Sequence, residues 1–378
     1  MLELRAVSHA AGREAVLADV RAEFRADTQT AALGLSAAGR REFLRVIEAA
    51  VRPATGALLL DGKPYRRDRR RCVRIVGGTG GATSGRRVGN AAGEAAIAAA
   101  GLSAKASARL RELSPAERWA LRAAVELARR PAVRLALVEE LGPDIDPAAL
   151  SALPRMARTL APGAVLVMAA ASAGEAMALG GRTIVLEHGR ILQAGPVGEV
   201  FGRPASLGVA RATAMPCLNT LALTFASTAR GPVRRLSDRS TFEPPGALVL
   251  PLAGDCTLAF RPEDVRLARG PADAARFVVR VEGEERGGRL SHLRLSFAGE
   301  AWLATISDSG PGSGRDSGPG SGPASGASPG EGPGRARGGT GRPETAFPAR
   351  GLIRSAFVDC DRLMVFDASG QRFPPPDA

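Results

Sequence analysis

A chain of 378 residues with an apolar fraction of 45% is long enough for two domains with buried cores. The net charge of +13 comes almost wholly from arginine, since Lys63 and Lys105 are the only lysines. The four cysteines lie too far apart for a C-x-x-C metal or redox pair. The sequence has no signal peptide and no apolar run near the roughly 20 residues of a membrane helix. The composition therefore favours a cytoplasmic protein.

A positive charge of this size is typical of proteins that bind nucleic acid or anionic membranes. Here the arginines are dispersed, and aromatic residues, at 4%, are too few to stack on bases beside them. The charge therefore indicates a compositional preference for arginine. Nucleic acid is not expected as a partner.

The first elements along the chain have the order of a phosphate-binding loop. Residues 2–7 and 16–24 are predicted strands, and the apolar run 31–33 leads into the loop GLSAAGRR, residues 34–41. A helical pattern follows at residues 43–47. In the motif G-x-x-x-x-G-K-[ST], lysine meets the β- and γ-phosphates and the hydroxyl ligates Mg²⁺. Arg40 and Arg41 occupy these two positions. The loop therefore has the glycine spacing of the motif but lacks its lysine and its hydroxyl.

Several stretches together resemble the ATPase subunits of ABC transporters, of the type that imports sugars, glycerol and related polyols. They are LELRAVSH from residue 2, GLSAAG from residue 34 and RPATGALLLDGK from residue 52. LSPAER at residues 113–118 is similar to the signature motif, residues 132–141 to the Walker B strand, and residues 182–191 to the last hairpin. The resemblance implies an α/β, P-loop NTPase-like nucleotide-binding domain over residues 1–205.

The second half resembles the OB-like transport-associated (TOBE) domain of the same family. LAFRPEDVRL at residues 258–267 carries this resemblance, and short alternating strands fit a small all-β barrel. We expect a connector at residues 206–235 and the barrel domain at 236–378. Residues 307–346 repeat SGPGSG and consist mostly of Gly, Pro, Ser and Arg, so we predict a disordered insertion there.

The resemblance also assigns site positions, most of them altered. Glu139 matches the position of the catalytic base. Val138 occupies the position of the Mg²⁺-binding aspartate, and Glu140 replaces a proline. In the signature, Leu113 and Ser114 remain.

The degenerate nucleotide-binding positions are Gly34, Ser36, Ala38, Gly39, Arg40 and Arg41. Further matched positions are Ala11 for the adenine-stacking aromatic, Gly78 for the sensing glutamine, Ala171 for the switch histidine and Asp146 for a dimer-contact aspartate.

Purely structural interpretations stand beside these assignments. The loop at residues 34–42 also suits a plain strand-to-helix turn, with Glu42 favourable to the helix dipole. Ser114-Pro115-Ala116-Glu117 has the pattern of a helix capping box. The run GGTGG at residues 77–81 is interpreted as a flexible loop, since it lacks the lysine and hydroxyl of a second phosphate loop.

We therefore hypothesise that the chain is a subunit of a sugar- or polyol-type importer and that this subunit acts as a non-catalytic scaffold. The resemblance implies permease subunits and a second, competent ATPase subunit as partners, with peripheral association at the inner face of the plasma membrane. ATP and Mg²⁺ are the cofactors if any binding persists, and no separate metal site is predicted. Two alternatives stay open: an active transport ATPase with atypical motifs, and a regulatory or nucleic-acid-binding module outside transport.

Overall fold

The computed structural model describes residues 1–77, 87–129, 132–228, 231–244, 248–267, 274–287, 290–307 and 350–374. The chain divides into two compact units. The first comprises Met1–Leu218, Leu250–Thr257 and Met364–Ala378, and the second comprises Asn219–Val249 and Leu258–Leu363. The boundaries at residues 205 and 236 stay a prediction. Gly78 and most of the insertion at 307–346 lie outside the described residues.

The strands are β1 Leu2–Ala11, β2 Glu14–Phe24, β3 Thr30–Leu33, β4 Thr55–Leu60, β5 Lys63–Pro64, β6 Cys72–Ile75, β7 Leu135–Val138, β8 Val165–Ala169, β9 Arg182–Glu187, β10 Arg190–Pro196, β11 Asn219–Thr228, β12 Gly231–Arg235, β13 Thr241–Phe242, β14 Cys256–Phe260, β15 Ala275–Gly287, β16 Leu290–Phe297, β17 Glu300–Ser307, β18 Ile353–Val358, β19 Met364–Asp367 and β20 Arg372–Phe373. The α-helices are α1 Ala37–Ile47, α2 Val88–Ala91, α3 Glu94–Ala99, α4 Pro115–Ala128, α5 Leu153–Leu160, α6 Ala173–Leu179, α7 Val197–Gly202 and α8 Leu207–Thr213. Short 3-10 turns occur at Ser103–Lys105, Leu110–Glu112, Pro147–Ala152, Pro262–Asp264 and Cys360–Arg362.

The first unit is built on a six-stranded sheet in the order β10-β9-β3-β8-β7-β6. Strands β9, β3, β8, β7 and β6 pair in parallel, and β10 pairs antiparallel with β9. Its central strands are apolar on both faces, as expected of a parallel sheet covered on both sides. The carboxyl ends of β3, β7 and β8 therefore meet at one edge, where ligands bind in open α/β sheets.

Each face of this sheet packs against a separate apolar cluster. On one face, helix α1 and the antiparallel sheet β2-β1-β4-β5 bury a set that includes Phe24, Phe43 and Leu137. On the other face, helices α4 and α5 bury a set that includes Trp119, Met156 and Met168. The predicted α/β architecture of this part of the chain is confirmed, as are the predicted strands at residues 2–7 and 16–24.

The second unit contains the four-stranded antiparallel sheet β17-β16-β15-β18. Its core is aromatic: Phe260 and Phe277 each meet the Trp302 ring edge-on, with ring centroids 4.9 and 5.1 Å apart. Asn219 closes the β17 edge by donating to the Leu303 carbonyl and accepting from the Leu303 amide, both at 2.8 Å. This strand-rich unit agrees with the expected β character, while a closed OB-like barrel stays a prediction.

No helix among the described residues combines the length and the apolar character needed to cross a bilayer.

Candidate functional site

The loop between β3 and α1 lies at the carboxyl edge of the parallel sheet, where a phosphate-binding loop is expected. Strand β3 ends at Leu33 and helix α1 begins at Ala37, so the predicted order of strand, loop and helix is confirmed. Gly34 has φ of +87°, and a Cβ atom built there would lie 2.0 Å from the carbonyl oxygen of Leu186 in β9. This glycine is therefore required by the packing of the loop on its neighbouring strand.

Ser36 is the N-cap of α1. Its hydroxyl oxygen accepts from the Gly39 amide at 3.0 Å and donates to the carboxylate of Glu14, whose Oε1 lies 2.7 Å away. The first turn of a helix attracts anions because its amide groups point outward with a partial positive charge. Here a carboxylate from β2 already stands at that position. Sequence analysis missed Glu14, because nothing in its local sequence links it to the loop.

Arg40, at the lysine position, is partly buried and turned back into the protein. Its Nη1 donates to the Leu35 carbonyl at 2.8 Å, and its remaining nitrogens bind the Glu140 carboxylate that follows β7. Glu140 thus holds the cation that a phosphate would otherwise meet. Arg41, at the position of the Mg²⁺-binding hydroxyl, and Ala38 are exposed.

The other carboxylate after β7 is engaged in a second ion-pair network. Glu139 Oε1 lies 2.7 Å from Nη2 of Arg74 on β6, and Arg74 also approaches buried Glu48 at 3.7 Å. Oε1 of Glu139 thus neutralises a neighbouring guanidinium, and the role of Glu139 as a general base stays a prediction. Val138 before it is fully buried in the apolar core.

The signature segment has a structural use. Ser114 is the N-cap of α4, its hydroxyl accepts from the Glu117 amide at 3.2 Å, and Glu117 Oε2 accepts from the Ser114 amide at 2.9 Å. Lys105 binds the same glutamate at 2.5 Å and holds the pKa of its carboxyl below the usual value. The predicted capping box is confirmed. Leu113 is buried beneath it.

Glu175 joins the loops after β7 and β8 and was also missed by sequence analysis. Its buried carboxylate accepts from the amide of Leu141 at 3.0 Å and from the amide of Ala171, the switch-histidine position, at 2.7 Å. Burial raises the pKa of this carboxyl, although both hydrogen bonds act in the opposite direction. The S-x-x-E spacing from Ser172, the N-cap of α6, was the available signal.

These residues do not form a site that fits Mg²⁺·ATP. The phosphate position is bordered by the Glu14 carboxylate and the Arg40–Glu140 ion pair, and valine and arginine stand at the two metal-ligand positions. Asp146 caps the turn Pro147–Ala152 through the Ala148 amide at 2.8 Å. Among the described residues, no three His, Cys, Asp or Glu side chains converge as a metal site.

Comparison with known proteins gives similarity over a limited part of the chain. The sn-glycerol-3-phosphate import ATP-binding protein UgpC of Brucella abortus is 32% identical over 127 residues, which are 33% of this chain and 32% of that protein. UgpC 3 of Agrobacterium fabrum is 38% identical over 125 residues, 32% of this chain and 33% of that protein. The uncharacterized ABC transporter ATP-binding protein y4oS of Sinorhizobium fredii is 28% identical over 134 residues, 35% of this chain and 34% of that protein.

The chain thus spans about a third of the length of the curated relatives it matches, and no family model matches it. Among solved structures, cbiO1 from Clostridium perfringens, part of the ABC transporter complex cbiONQ, aligns with a TM-score of 0.45 and 16% identity over 53% of this chain and 90% of that chain. An ATP binding subunit of an ABC transporter gives 0.40 and 18% over 53% and 91%. In the matched third, the sequence is similar to ATP-binding subunits of ABC transporters, including import proteins.

Proposed function

We propose that this chain is an ATP-binding-cassette subunit of a sugar- or polyol-type importer and that it serves as a non-catalytic scaffold. The sequence similarity to import ATP-binding proteins supports the importer part. In this proposal the chain pairs with a competent ATPase subunit and with permease subunits, and it reaches the membrane through them.

The observation that carries the non-catalytic part is the ion pair between Arg40 and Glu140. Phosphoryl transfer depends on fixed cations and Mg²⁺ at the β- and γ-phosphates. Arg40 is the sole cation at the loop's lysine position, and it is bound to an internal carboxylate and to the Leu35 carbonyl. A phosphate would have to displace Glu140 and would also meet the Glu14 carboxylate.

The size of the expected rate loss also supports a non-catalytic role. The loss of one preorganised charge-stabilising donor typically lowers an enzymatic rate by about 10²–10³. Here the Mg²⁺ hydroxyl and the Mg²⁺ carboxylate positions hold Arg41 and Val138, and the lysine position holds an engaged arginine. Such losses are not additive, yet Glu139 alone supplies neither a metal ligand nor a phosphate cation.

The competing proposal is an active ATPase with atypical residues, and Glu139 at the end of β7 is the observation in its favour. The two proposals differ in a hydrolysis assay of the purified chain at saturating Mg²⁺·ATP. The scaffold proposal expects phosphate release at the background rate, unchanged by Glu139→Gln. An active enzyme would show turnover that Glu139→Gln abolishes, and that result would overturn the scaffold proposal.

A further inference from the structure

Residues 63–71, KPYRRDRRR, form a basic segment that comprises β5 and the connection from β5 to β6. All six cationic residues of the segment are exposed. Within the part of the chain that the structure describes, four of them are in no ion pair: Lys63, Arg66, Arg69 and Arg70. Arg67 and Arg71 pair with Glu48 and Asp68 at 2.9 and 3.5 Å. Nucleic acid was not expected as a partner because the arginines are dispersed along the chain, but in this segment they are clustered.

The basic segment is held in place by its own backbone and by its two paired arginines. The Tyr65 amide donates to the Leu58 carbonyl at 2.8 Å, and Nε and Nη2 of Arg67 donate to Oε1 of Glu48 at 3.0 and 2.9 Å. Asp68 accepts from the Arg70 amide at 2.8 Å. The segment is therefore ordered before any ligand arrives, which lowers the entropic cost of binding.

Two grooves flank the segment and share its residues Pro64 to Arg67. One has a volume of about 640 Å³ and includes Lys63 and Arg71 in its wall, and the other has about 420 Å³ and adds Arg52. Of the acidic residues at the first groove, Asp61 is already paired with Arg134 and the N-terminal amine, each at 2.8 Å. The described residues that line the second groove include no carboxylate.

Tyr65, between the grooves, adds no negative charge. Burial raises the pKa of its phenol, with nearby Cys72 and Glu48 acting in the same direction, so the group stays neutral at physiological pH. The wall that the two grooves share is therefore cationic and carries an uncharged aromatic ring.

From these observations we infer that the basic segment binds the backbone of a single-stranded nucleic acid without regard to sequence. A planar guanidinium group can donate two parallel hydrogen bonds to the oxygens of one phosphate. A chain-like polyanion can enter the grooves at Lys63 and Arg66 and continue past Arg69 and Arg70, which line neither groove. A planar membrane surface cannot enter the grooves. Few aromatic residues accompany the cations, so contacts to phosphates rather than base stacking supply the affinity. This inference does not rest on the transport proposal.

The test is the binding of a fluorescent oligouridylate of about 20 nucleotides, followed by anisotropy over a salt series. Replacing the four cations that are in no ion pair together by glutamine, as Lys63→Gln, Arg66→Gln, Arg69→Gln and Arg70→Gln, is expected to weaken binding at least tenfold at low salt. The slope of log K against log salt is expected to become shallower by up to about 2.8, at about 0.7 for each cation in contact with a single strand.

A control variant with the same change in net charge replaces exposed arginines elsewhere in the first unit: Arg13→Gln, Arg111→Gln, Arg190→Gln and Arg203→Gln. We expect this control to keep most of the wild-type affinity and slope. Equal loss in both variants, or no oligonucleotide binding by the wild type at low salt, would overturn the inference. Binding to phosphatidylserine vesicles but not to the oligonucleotide would equally overturn it and would assign the segment to a membrane surface.

Discussion

Gly34→Ala is expected to lower the free energy of unfolding by more than about 3 kcal/mol. A non-glycine residue in the left-handed region costs about 1–2 kcal/mol, and Gly34 has φ of +87°. In addition, the new Cβ atom would lie 2.0 Å from the Leu186 carbonyl oxygen, so β9 or the loop must move. Urea unfolding followed by circular dichroism measures the difference.

Two further glycine substitutions separate the causes of this effect. Gly62 has φ of +76° and open space around its Cα, so Gly62→Ala should cost only the backbone term of about 1–2 kcal/mol. Gly39, the second glycine of the loop motif, is helical, and its Cβ would come closest to the Ser36 and Glu14 oxygens, each at 3.2 Å. The gain in helix propensity of about 1 kcal/mol offsets that crowding, so Gly39→Ala should be nearly neutral.

A large effect at Gly39 and a small one at Gly34 would contradict this interpretation. It would indicate that the loop is shaped around its second glycine, as a phosphate-wrapping loop is. We instead expect the larger loss of stability for Gly34→Ala and the smaller one for Gly39→Ala, as in a packed strand-to-helix turn.

Glu175→Ala is the second substitution with a large expected effect. It removes a buried carboxylate that accepts from two backbone amides, those of half-buried Leu141 and exposed Ala171. An ordinary hydrogen bond contributes about 0.5–1.5 kcal/mol, so the loss of both bonds should cost about 2 kcal/mol at pH 7. Glu199→Ala, at an exposed position in the first turn of α7, is the matched control and should change stability by less than about 0.5 kcal/mol.

The cost of Glu175→Ala should also depend on pH. The folded protein raises the pKa of this carboxyl, so the stability linked to its protonation is fully present below the unfolded value, near 4.5. That contribution is lost as pH rises through the folded value. The difference between wild type and variant should therefore be larger at pH 4.5 than at pH 7. A difference that grows with pH would mean that the pKa of Glu175 is lowered in the folded protein.

Local patterns were enough to predict much of the first unit. Alternating apolar residues defined β1 and β2, and the S-x-x-E spacing defined the start of α4 at Ser114. These features depend on residues within one or two turns of each other, so their physics is visible in the sequence. The order of strand, loop and helix around Gly34 could be predicted for the same reason.

The contacts that decide the chemistry of the site were not visible in this way. Arg40 and Glu140 are 100 positions apart, and Ser36 and Glu14 are 22 positions apart. Such pairs form only when the fold brings the start of β2, the Gly34 loop and the residues after β7 together, although β2 and β7 belong to different sheets. The sequence allowed Arg40 to be a substitute for the phosphate-binding lysine, whereas in the fold its partner is a carboxylate.

We propose that the Gly34 loop does not bind Mg²⁺·ATP, and equilibrium binding of Mg²⁺·ATP to the purified chain tests this proposal most directly. Isothermal titration calorimetry should detect no saturable binding at nucleotide concentrations up to about 1 mM, because Arg40 stays bound to Glu140. The unfolding transition of the same sample verifies that the protein is folded. A Mg²⁺-dependent dissociation constant in the micromolar range or tighter would contradict the claim.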